Sequence, residues 1–384
     1  MSPGTVLYRK AQGGKTQGEG SELSGVRVRV VRPGELTARE IDVWRELRAK
    51  SGAPANPFME PEFTIAVGRF RSSTARVAVL EERGEPVGFF PYEKGPLGHG
   101  RAIGYGVSDC QGAVLGPGTH LPVRELLRAC RLSAWEFDNL EAGQGLFGTG
   151  VAETFASPVI EVGEGYGAYE ARLRAQSPKF LRTTLAKERR LGRQGGGEVR
   201  FVFDERDERP LRVLMGWKSA QYRRTGRRDR FAQEWISGLV HHLHSARSPG
   251  CSGTLSVLYV GDAPVAAHFG LRSRTVLSCW FPAYDPAFAK FSPGLVLHLR
   301  MAEAAAREGI GVLDLGRGAA EYKDSLKTGE SQVHEGVCVL PGVRAGLYWL
   351  SREPARRAHR YVRSRPRLAG YAQRALNQVG RIRG

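Results

Sequence analysis

Three pieces of sequence between residues 258 and 328 decide the fold. The first is a hairpin, Leu258-Tyr-Val-Gly-Asp-Ala-Pro-Val-Ala-Ala-His-Phe-Gly270. The second is the strand Leu277-Ser-Cys-Trp-Phe-Pro-Ala-Tyr284, which is followed by a helix that begins at Ser292-Pro293-Gly294. The third is the strand Val312-Leu-Asp-Leu315, which runs into Gly316-Arg-Gly-Ala-Ala-Glu-Tyr-Lys323. Short apolar runs bounded by Gly, Pro and Asp indicate strands, so this order predicts an α/β domain with a mixed sheet.

The rest of the chain predicts similar elements on both sides of a central boundary. In the first half, residues 26–31 alternate as a half-buried strand does, and residues 75–91 form a hairpin. In the second half, a long basic helix spans residues 167–193, with an interruption at Ser177-Pro178. We place the boundary at residues 157–166, where glycines and Pro158 break the pattern. We therefore predict a disordered leader (1–25), an N-terminal domain (26–160), a C-terminal domain (161–342) and an Arg-rich extension (343–384).

The composition is that of a globular protein with an unusual charge. Of 384 residues, 41% are hydrophobic and 25% are charged, and no apolar run is long enough to span a membrane. The net charge is +18, and residues 344–384 hold eleven arginines against one acidic residue, Glu353. Such a field attracts nucleic acid, an anionic membrane or a phosphorylated ligand, whereas arginines that are merely solvated are the equal alternative. The polar leader lacks the apolar core of a secretion signal, which predicts a cytoplasmic protein.

Neither the cysteines nor the histidines predict a metal site. The five cysteines lie far apart without a Cys-x-x-Cys pair, which argues against a zinc knuckle and a disulfide scaffold. Cys279 and Cys338 lie in apolar runs, so we predict buried thiols there. His241, His242 and His244 share a helix without an accompanying cysteine or carboxylate set, which favours a surface cluster.

The helix that begins at Ser292 is a candidate phosphate site. Ser292 is of a type that caps helices, Pro293 suits the first turn, and Gly294 lets a ligand approach the backbone. Free amides and the helix dipole favour an anion at this end, and Lys290 adds a positive charge. A cap that binds nothing is the alternative.

In this order the pieces resemble the CelD/BcsL-type GNAT acyltransferases, which are found beside cellulose and exopolysaccharide genes and are related to the FemAB aminoacyltransferases. The matching patterns are Gly-Asp-x-Pro-Val-Ala-Ala-His-Phe, Trp-Phe-x-Ala-Tyr-Asp-x-x-Phe, Ser-Pro-Gly-x-x-Leu and Leu-Asp-Leu-Gly-Arg-Gly-x-x-x-Tyr-Lys. The resemblance is best over residues 177–327 and extends weakly through residues 56–58, 88–91 and 109–115. It implies a tandem double GNAT fold whose second copy is catalytic.

The resemblance also implies acetyl-CoA, or another acyl-CoA, as the co-substrate. The strand at residues 275–284 would pair with the pantetheine arm. The residues that would bind the cofactor are Lys290, Ser292, Pro293, Gly294, Leu295 and Val296. The chain lacks the fuller Gln/Arg-x-x-Gly-x-Gly/Ala loop of standard GNAT enzymes, and FemAB relatives with a similar departure use aminoacyl-tRNA as the donor.

Acyl transfer to an amine needs a base for the amine and an acid for the thiolate that leaves. The candidates at the ends of the strands are Asp314 and His268 as bases and Tyr284 and Tyr322 as acids, and Asp314 is also a candidate to orient the acceptor amine. Asp314 lies on an apolar strand, where a carboxylate needs a partner. Capping a loop or pairing with Arg317 is the alternative for Asp314, and a packed core histidine is the alternative for His268.

The predicted function is N-acyl transfer to an amine such as an amino sugar, a nucleotide-linked glycan precursor or a secondary metabolite. Arg317, Glu321 and Lys323 are the candidates for acceptor binding, and an exposed lysine is the alternative for Lys323. The first alternative function is a FemAB-like transferase that uses aminoacyl-tRNA, favoured by the net charge and the reduced phosphate loop. The basic segments 179–193 and 223–230 are candidates to bind a phosphorylated acceptor or a tRNA backbone, and solvated helix faces are the equal alternative. The second alternative function is a catalytically silent scaffold of polysaccharide biosynthesis, held at an anionic membrane by the Arg-rich tail. The sequence does not specify the oligomeric state.

Overall fold

The structure of the protein, a computed structural model, describes residues 25–318 and 320–342. The predicted leader, apart from Gly25, and the predicted Arg-rich extension lie outside these residues. None of the described helices has the length and apolar character needed to cross a membrane.

Thirteen strands form one sheet over the described residues. They are β1 Val26–Val31, β2 Ala75–Glu82, β3 Glu85–Lys94, β4 His99–Ala102, β5 Val114–Leu115, β6 Ala134–Glu141, β7 Val151–Glu161, β8 Val199–Val202, β9 Ser252–Val260, β10 Ala263–Arg272, β11 Val276–Tyr284, β12 Val312–Asp314 and β13 Gly329–Val339.

The α-helices of the described chain cover both faces of this sheet. They are α1 Ala38–Lys50, α2 Pro61–Phe70, α3 Val123–Ala129, α4 Tyr166–Gln176, α5 Pro178–Gln194, α6 Glu208–Arg224, α7 Glu234–Ser245, α8 Pro293–Arg307 and α9 Glu321–Leu326.

The strand order contains the same pattern twice. In the first half, β1 to β4 are antiparallel neighbours and β4 is then parallel to β6. In the second half, β8 to β11 are antiparallel neighbours and β11 is then parallel to β12. At the centre of the sheet, β7 pairs with β12 and β13 pairs with β6. Strands β7 and β13 also pair with each other. The last strand of each half therefore borders the parallel pair of the other half, which joins both halves into one mixed sheet, as predicted.

The two halves also share one apolar core. Trp44 of α1 and Phe63 of α2 belong to the same buried cluster as Leu239 of α7 and Trp280 of β11. Helix α1 begins at a capping box, in which Thr37 and Glu40 each accept a hydrogen bond from the other's amide. Burial of these side chains from both halves fixes the halves against each other.

Several elements differ from the sequence prediction. Strands β7 and β13 were not predicted. Strand β7 continues through Pro158, whose carbonyl accepts the amide of Leu315 at 3.0 Å. Strands β12 and β13 pair with β7 on its two sides, and such long-range pairing is invisible to local patterns.

The cysteine prediction is confirmed, whereas the histidine prediction is wrong in part. All five cysteines are buried and free, Cys279 and Cys338 among them. His244 is not at the surface: it is buried, and its Nε2 lies 3.0 Å from the carbonyl oxygen of Glu205. The face of α7 that carries His244 therefore belongs to the core of the protein.

Candidate active site

The parallel strands β11 and β12 separate at the centre of the second half. They pair only where residues 276–278 lie opposite residues 312–314. Strand β11 then continues along β10 to Tyr284, whereas β12 ends at Asp314. Beyond Ser278, this edge of β11 has no strand partner in the described part of the chain. An edge with unpaired backbone groups can accept an extended ligand as an additional strand.

The corresponding gap in the first half is closed by the chain itself. After β4, the chain returns beside β6, and Gln111 forms a parallel bridge with Leu140. The side-chain oxygen of Gln111 accepts the amides of Asp138 and Asn139 at 3.0 and 3.1 Å. The segment that closes this gap carries Asp109 towards the open gap of the second half.

A cleft of about 810 Å³ lies between the two halves at the open gap. Its walls are the loop after β4, the end of α6 and the loop that follows it, the end of β11 and the turn after β12. One of its lining residues is acidic, Asp109. Eight are arginines or lysines: Arg71, Arg101, Lys218, Arg227, Arg228, Arg230, Arg317 and Lys323. The cleft is therefore built for an anionic molecule or an anionic group.

Asp109 is half-buried in the cleft wall on a rigid loop of the first half. Ser108 Oγ donates to the Ile103 carbonyl at 2.8 Å, and Trp280 Nε1 of β11 donates to the Val107 carbonyl at 2.7 Å. A Cβ built on Gly316 would lie 3.4 Å from Asp109 Oδ2, so the carboxylate faces the turn after β12. Burial, with a smaller effect from a neighbouring carboxylate, raises the pKa of Asp109 to about 7. The group therefore exchanges its proton near neutral pH.

Asp314, the base candidate from sequence, is buried behind this turn and is not among the residues that line the cleft. Its Oδ1 accepts Ser157 Oγ at 2.8 Å and the Gly316 amide at 2.9 Å. Its Oδ2 accepts Asn56 Nδ2 at 3.4 Å. Burial raises its pKa. These contacts give Asp314 a positioning role: it holds the turn in place and links it to β7 and to the first half, opposite Asp109.

Lys323 and Arg317, two of the candidates for acceptor binding, lie in the cleft wall. Lys323 Nζ donates to the Gly316 carbonyl at 2.8 Å and to the Arg317 carbonyl at 3.2 Å. Lys323 is buried, so the exposed alternative is wrong, and burial lowers its pKa. Arg317 pairs with Glu335 at 3.0 Å rather than with Asp314.

Tyr322 and His298 line the cleft beside the gap. Burial raises the pKa of Tyr322 to about 12, so its hydroxyl keeps its proton. His298 of α8, which the sequence did not single out, lies between Tyr322 and His268, with ring centroids 5.7 and 5.9 Å away. His268 is fully buried outside the cleft, and neither of its ring nitrogens has a hydrogen-bond partner among the described residues. Burial, followed by His298, lowers the pKa of His268 well below its usual value.

Two candidates from sequence lie outside the lining of the cleft. Tyr284, at the end of β11, is 43% exposed and lies beside Gly294. Glu321 is exposed in the first turn of α9. Of the four catalytic candidates from sequence, only Tyr322 therefore lies in the cleft.

The start of α8 has a local structure that the sequence did not predict. Ser292 adopts a left-handed conformation (φ 50°, ψ 52°), and its hydroxyl accepts Lys187 Nζ at 2.8 Å instead of a backbone amide. Ser292 therefore lies at the N-cap position of α8, as the sequence indicated, but its side chain does not cap the helix. The amides of Leu295 and Val296 donate to the Ser292 carbonyl at 2.9 and 3.4 Å. Within the described chain, this leaves the amide of Gly294 as the free donor of the first turn.

The surroundings of this first turn fit a pyrophosphate. A Cβ built on Gly294 would meet nothing closer than 3.7 Å, so a ligand can approach the backbone. Lys187 contacts the preceding serine, and Arg190 and Lys290 lie over the ring of Phe291 at 5.8 and 4.9 Å. Lys187 therefore lies at Ser292, and Arg190 and Lys290 lie at the neighbouring Phe291, so their positive charges add to that of the helix dipole.

Residues 179–324, which include the open gap and the start of α8, match the family model described as an acetyltransferase (GNAT) domain. This chain carries a GNAT domain. With the repeated strand order of the two halves, this confirms the predicted tandem GNAT fold, and it shows that the protein is an N-acyltransferase.

Solved structures share this fold at low sequence identity. FemX is 11% identical, with a TM-score of 0.55, over 84% of this chain and 99% of its own. The C-terminal domain of a putative lysylphosphatidylglycerol synthetase from Agrobacterium fabrum is 12% identical, with a TM-score of 0.51, over 81% of this chain and 94% of its own. No curated protein sequence matches the chain. At this identity the similarity supports the fold alone.

Proposed function

We propose that the protein transfers an acetyl or other short acyl group from acyl-CoA to an amine that is bound in the cleft. An amino sugar, a glycan precursor or a secondary metabolite has a suitable amine. The observation that carries the proposal is the open gap between β11 and β12, where the ends of both strands line the cleft together with Asp109. The start of α8 lies beside the end of β11, where Gly294 is next to Tyr284. The order of the sequence motifs supports a CelD/BcsL-type member of the superfamily.

The donor would lie along the second half. Its pyrophosphate would accept a hydrogen bond from the Gly294 amide and would lie near Lys187, Arg190 and Lys290. Its pantetheine arm would pair with the free edge of β11, which places the thioester at the gap. The acyl carbon would then face the cleft and the acceptor.

The acceptor amine would lose its proton to Asp109. Because the pKa of Asp109 is about 7, a large share of this carboxylate is ionised at neutral pH and still basic enough to take the proton. The amine nitrogen then forms a bond to the acyl carbon, the carbon–sulfur bond breaks, and Tyr322 gives its proton to the departing thiolate. The raised pKa of Tyr322 keeps that proton available.

The direct test is calorimetry with acetyl-CoA, followed by a thiol-release assay with a panel of amines. We expect acetyl-CoA to bind and thiol release to depend on the amine. Absence of acetyl-CoA binding at millimolar concentration would contradict the choice of donor. Binding without turnover on any amine would instead favour a silent scaffold.

The Gly294→Glu variant is expected to bind acetyl-CoA at least about tenfold more weakly while the fold is retained. The new carboxylate would repel the pyrophosphate, yet acidic groups in a first helical turn stabilise the helix by about 0.3–1 kcal/mol. Calorimetry with acetyl-CoA and thermal unfolding measure the two effects. Gly216→Glu, the same change at an exposed helical glycine outside the cleft, should leave acetyl-CoA binding unchanged. Equal affinity of the two variants would place the pyrophosphate elsewhere.

One observation favours transfer from aminoacyl-tRNA as a second candidate. Helix α5, beside the start of α8, exposes five cations that have no ion-pair partner among the described residues: Lys179, Arg182, Arg189, Arg190 and Arg193. An RNA backbone on this face would bind with a steep salt dependence, because its counterions are released. Tight binding of charged tRNA together with no binding of acetyl-CoA would favour this candidate.

A further inference from the structure

The cations of the cleft fall into two groups. Arg71, Arg101 and Arg317 each have a carboxylate partner, within 2.7 to 3.5 Å. The cations on α6 and on the loop that follows it have no carboxylate within ion-pair distance among the described residues: Lys218, Arg227, Arg228 and Arg230. The positive charge on this wall is therefore not balanced by the protein.

Lys218 and Arg230 are half-buried and bind only neutral groups. Lys218 Nζ donates to the Pro282 carbonyl at 2.9 Å, which leaves two of its three hydrogens for another acceptor. Arg230 Nη1 donates across the cleft to the Gly106 carbonyl of the first half. A half-buried cation that binds only carbonyls has donors left for a ligand.

The carboxylate nearest in sequence does not neutralise this group. Asp229 Oδ1 accepts Ser219 Oγ at 3.1 Å and the Phe231 amide at 3.0 Å. Its Oδ2 lies 3.7 Å from Arg223, which is outside the lining of the cleft. Asp229 therefore shapes the loop and leaves Arg230 available.

The cations also affect one another. Burial, and then the charges of Arg227 and Arg230, lower the pKa of Lys218 to about 8. Like charges are thus held together without an anion between them, at a cost in electrostatic energy. A bound dianion would remove this repulsion.

We propose that Lys218, Arg227 and Arg230 form a subsite for a phosphate group and that the acceptor is a phosphorylated amine. Phosphate suits the subsite because its terminal oxygens accept several charge-assisted hydrogen bonds at once. Arg230 also lies close enough to Asp109 for its charge to lower the pKa of that base. This proximity allows the phosphate and the reacting amine to belong to one molecule. The inference rests on the proposed function, since it names the substrate class of the same cleft.

The first test is calorimetry with sulfate, a dianion that does not titrate near neutral pH. We expect sulfate to bind the native chain. We expect its affinity for Lys218→Met and for Arg230→Ala to be about tenfold lower. Arg224→Ala removes an exposed arginine of the same helix outside the cleft and should bind sulfate as the native chain does. Thermal unfolding confirms that each variant is folded. No sulfate binding by the native chain, or equal binding by all variants, would overturn the proposal.

Proton uptake gives an independent readout. At pH 8 about half of the Lys218 side chains are neutral, so sulfate binding should take up about half a proton. Of the groups around it, His268 stays neutral and Tyr222 stays protonated at this pH. Asp109, whose pKa is about 7, adds a smaller share of proton uptake that does not depend on Lys218. Calorimetry in two buffers of different ionisation enthalpy measures the uptake. Uptake by Lys218→Met that equals the uptake by the native chain would overturn the assignment of the subsite to this lysine.

The source of the phosphate is tested separately. O-phosphoethanolamine is a soluble phosphorylated amine, and vesicles of phosphatidylethanolamine present the same group on a lipid surface. Competition with sulfate by the first alone indicates a soluble acceptor, and competition by the vesicles indicates a lipid headgroup. Competition by neither would overturn the proposal. Sulfate binding without any acetyl-CoA turnover would contradict the proposed function and leave the subsite standing.

Discussion

Replacing Asp109 with Asn is expected to lower the rate of acyl transfer by about 10²- to 10⁴-fold, which is the usual contribution of a general base. Asn keeps the shape of the side chain and removes its ability to take a proton. Acetyl-CoA binding should be unchanged, because the donor lies along β11 and α8. Thiol release at saturating donor and calorimetry with acetyl-CoA measure the two quantities.

The pH dependence of the native enzyme should follow the same group. Because the base acts when ionised, the transfer rate should rise with pH through about 7 and level off above it. This dependence should disappear in Asp109→Asn. The control is Asp262→Asn, the same substitution in the exposed turn between β9 and β10, which should keep the native rate and profile. Native activity in Asp109→Asn would assign proton transfer to another group.

The Asp314→Ala variant is expected to reduce the free energy of unfolding by about 3 kcal/mol. The change leaves buried donors of Ser157, Asn56 and Gly316 without acceptors, and each unsatisfied group costs about 1–3 kcal/mol. Chemical denaturation of the native chain and the variant measures the difference. Turnover should also fall, because the turn that faces Asp109 loses its anchor.

A substitution of a surface aspartate is the control for Asp314→Ala. The stability and turnover of the two variants distinguish a structural role of Asp314 from a role as a base. Asp324→Ala on α9 removes an exposed ion pair with Lys327 and should change stability by less than about 1 kcal/mol. If Asp314→Ala keeps native stability and yet loses turnover, Asp314 is a base, as the sequence alone suggested, and the positioning role is wrong.

Asp314 and Asp109 show how much of the site could be predicted from the sequence. A carboxylate on an apolar strand needs partners, and this argument correctly marked Asp314 as unusual. Its partners Asn56 and Ser157 lie 258 and 157 residues away along the chain, so no local pattern identifies them. Asp109 was visible only as the first residue of a weakly similar segment, because nothing in the first half by itself indicates that its loop reaches the second half.

Local patterns were sufficient for the order of elements in the second half. The hairpin about Gly261, the strand that ends at Tyr284 and the helix that begins near Ser292 depend on turn residues and on apolar periodicity, which are properties of short segments. The same information indicated a phosphate site at this helix. It did not reveal that Ser292 binds Lys187 instead of capping, since that contact joins two separate helices.

The composition of the cleft depends instead on the pairing of β7 with β12 and of β13 with β6. This pairing brings the loop of Asp109, the end of α6 and the turn at Gly316 to one place. Whether a cation is balanced or available follows from which carboxylate lies beside it in space. The sequence by itself shows that the chain is basic. The fold places cations without carboxylate partners beside Asp109, whose pKa is raised, because the burial of these groups and the distances between them depend on the tertiary structure.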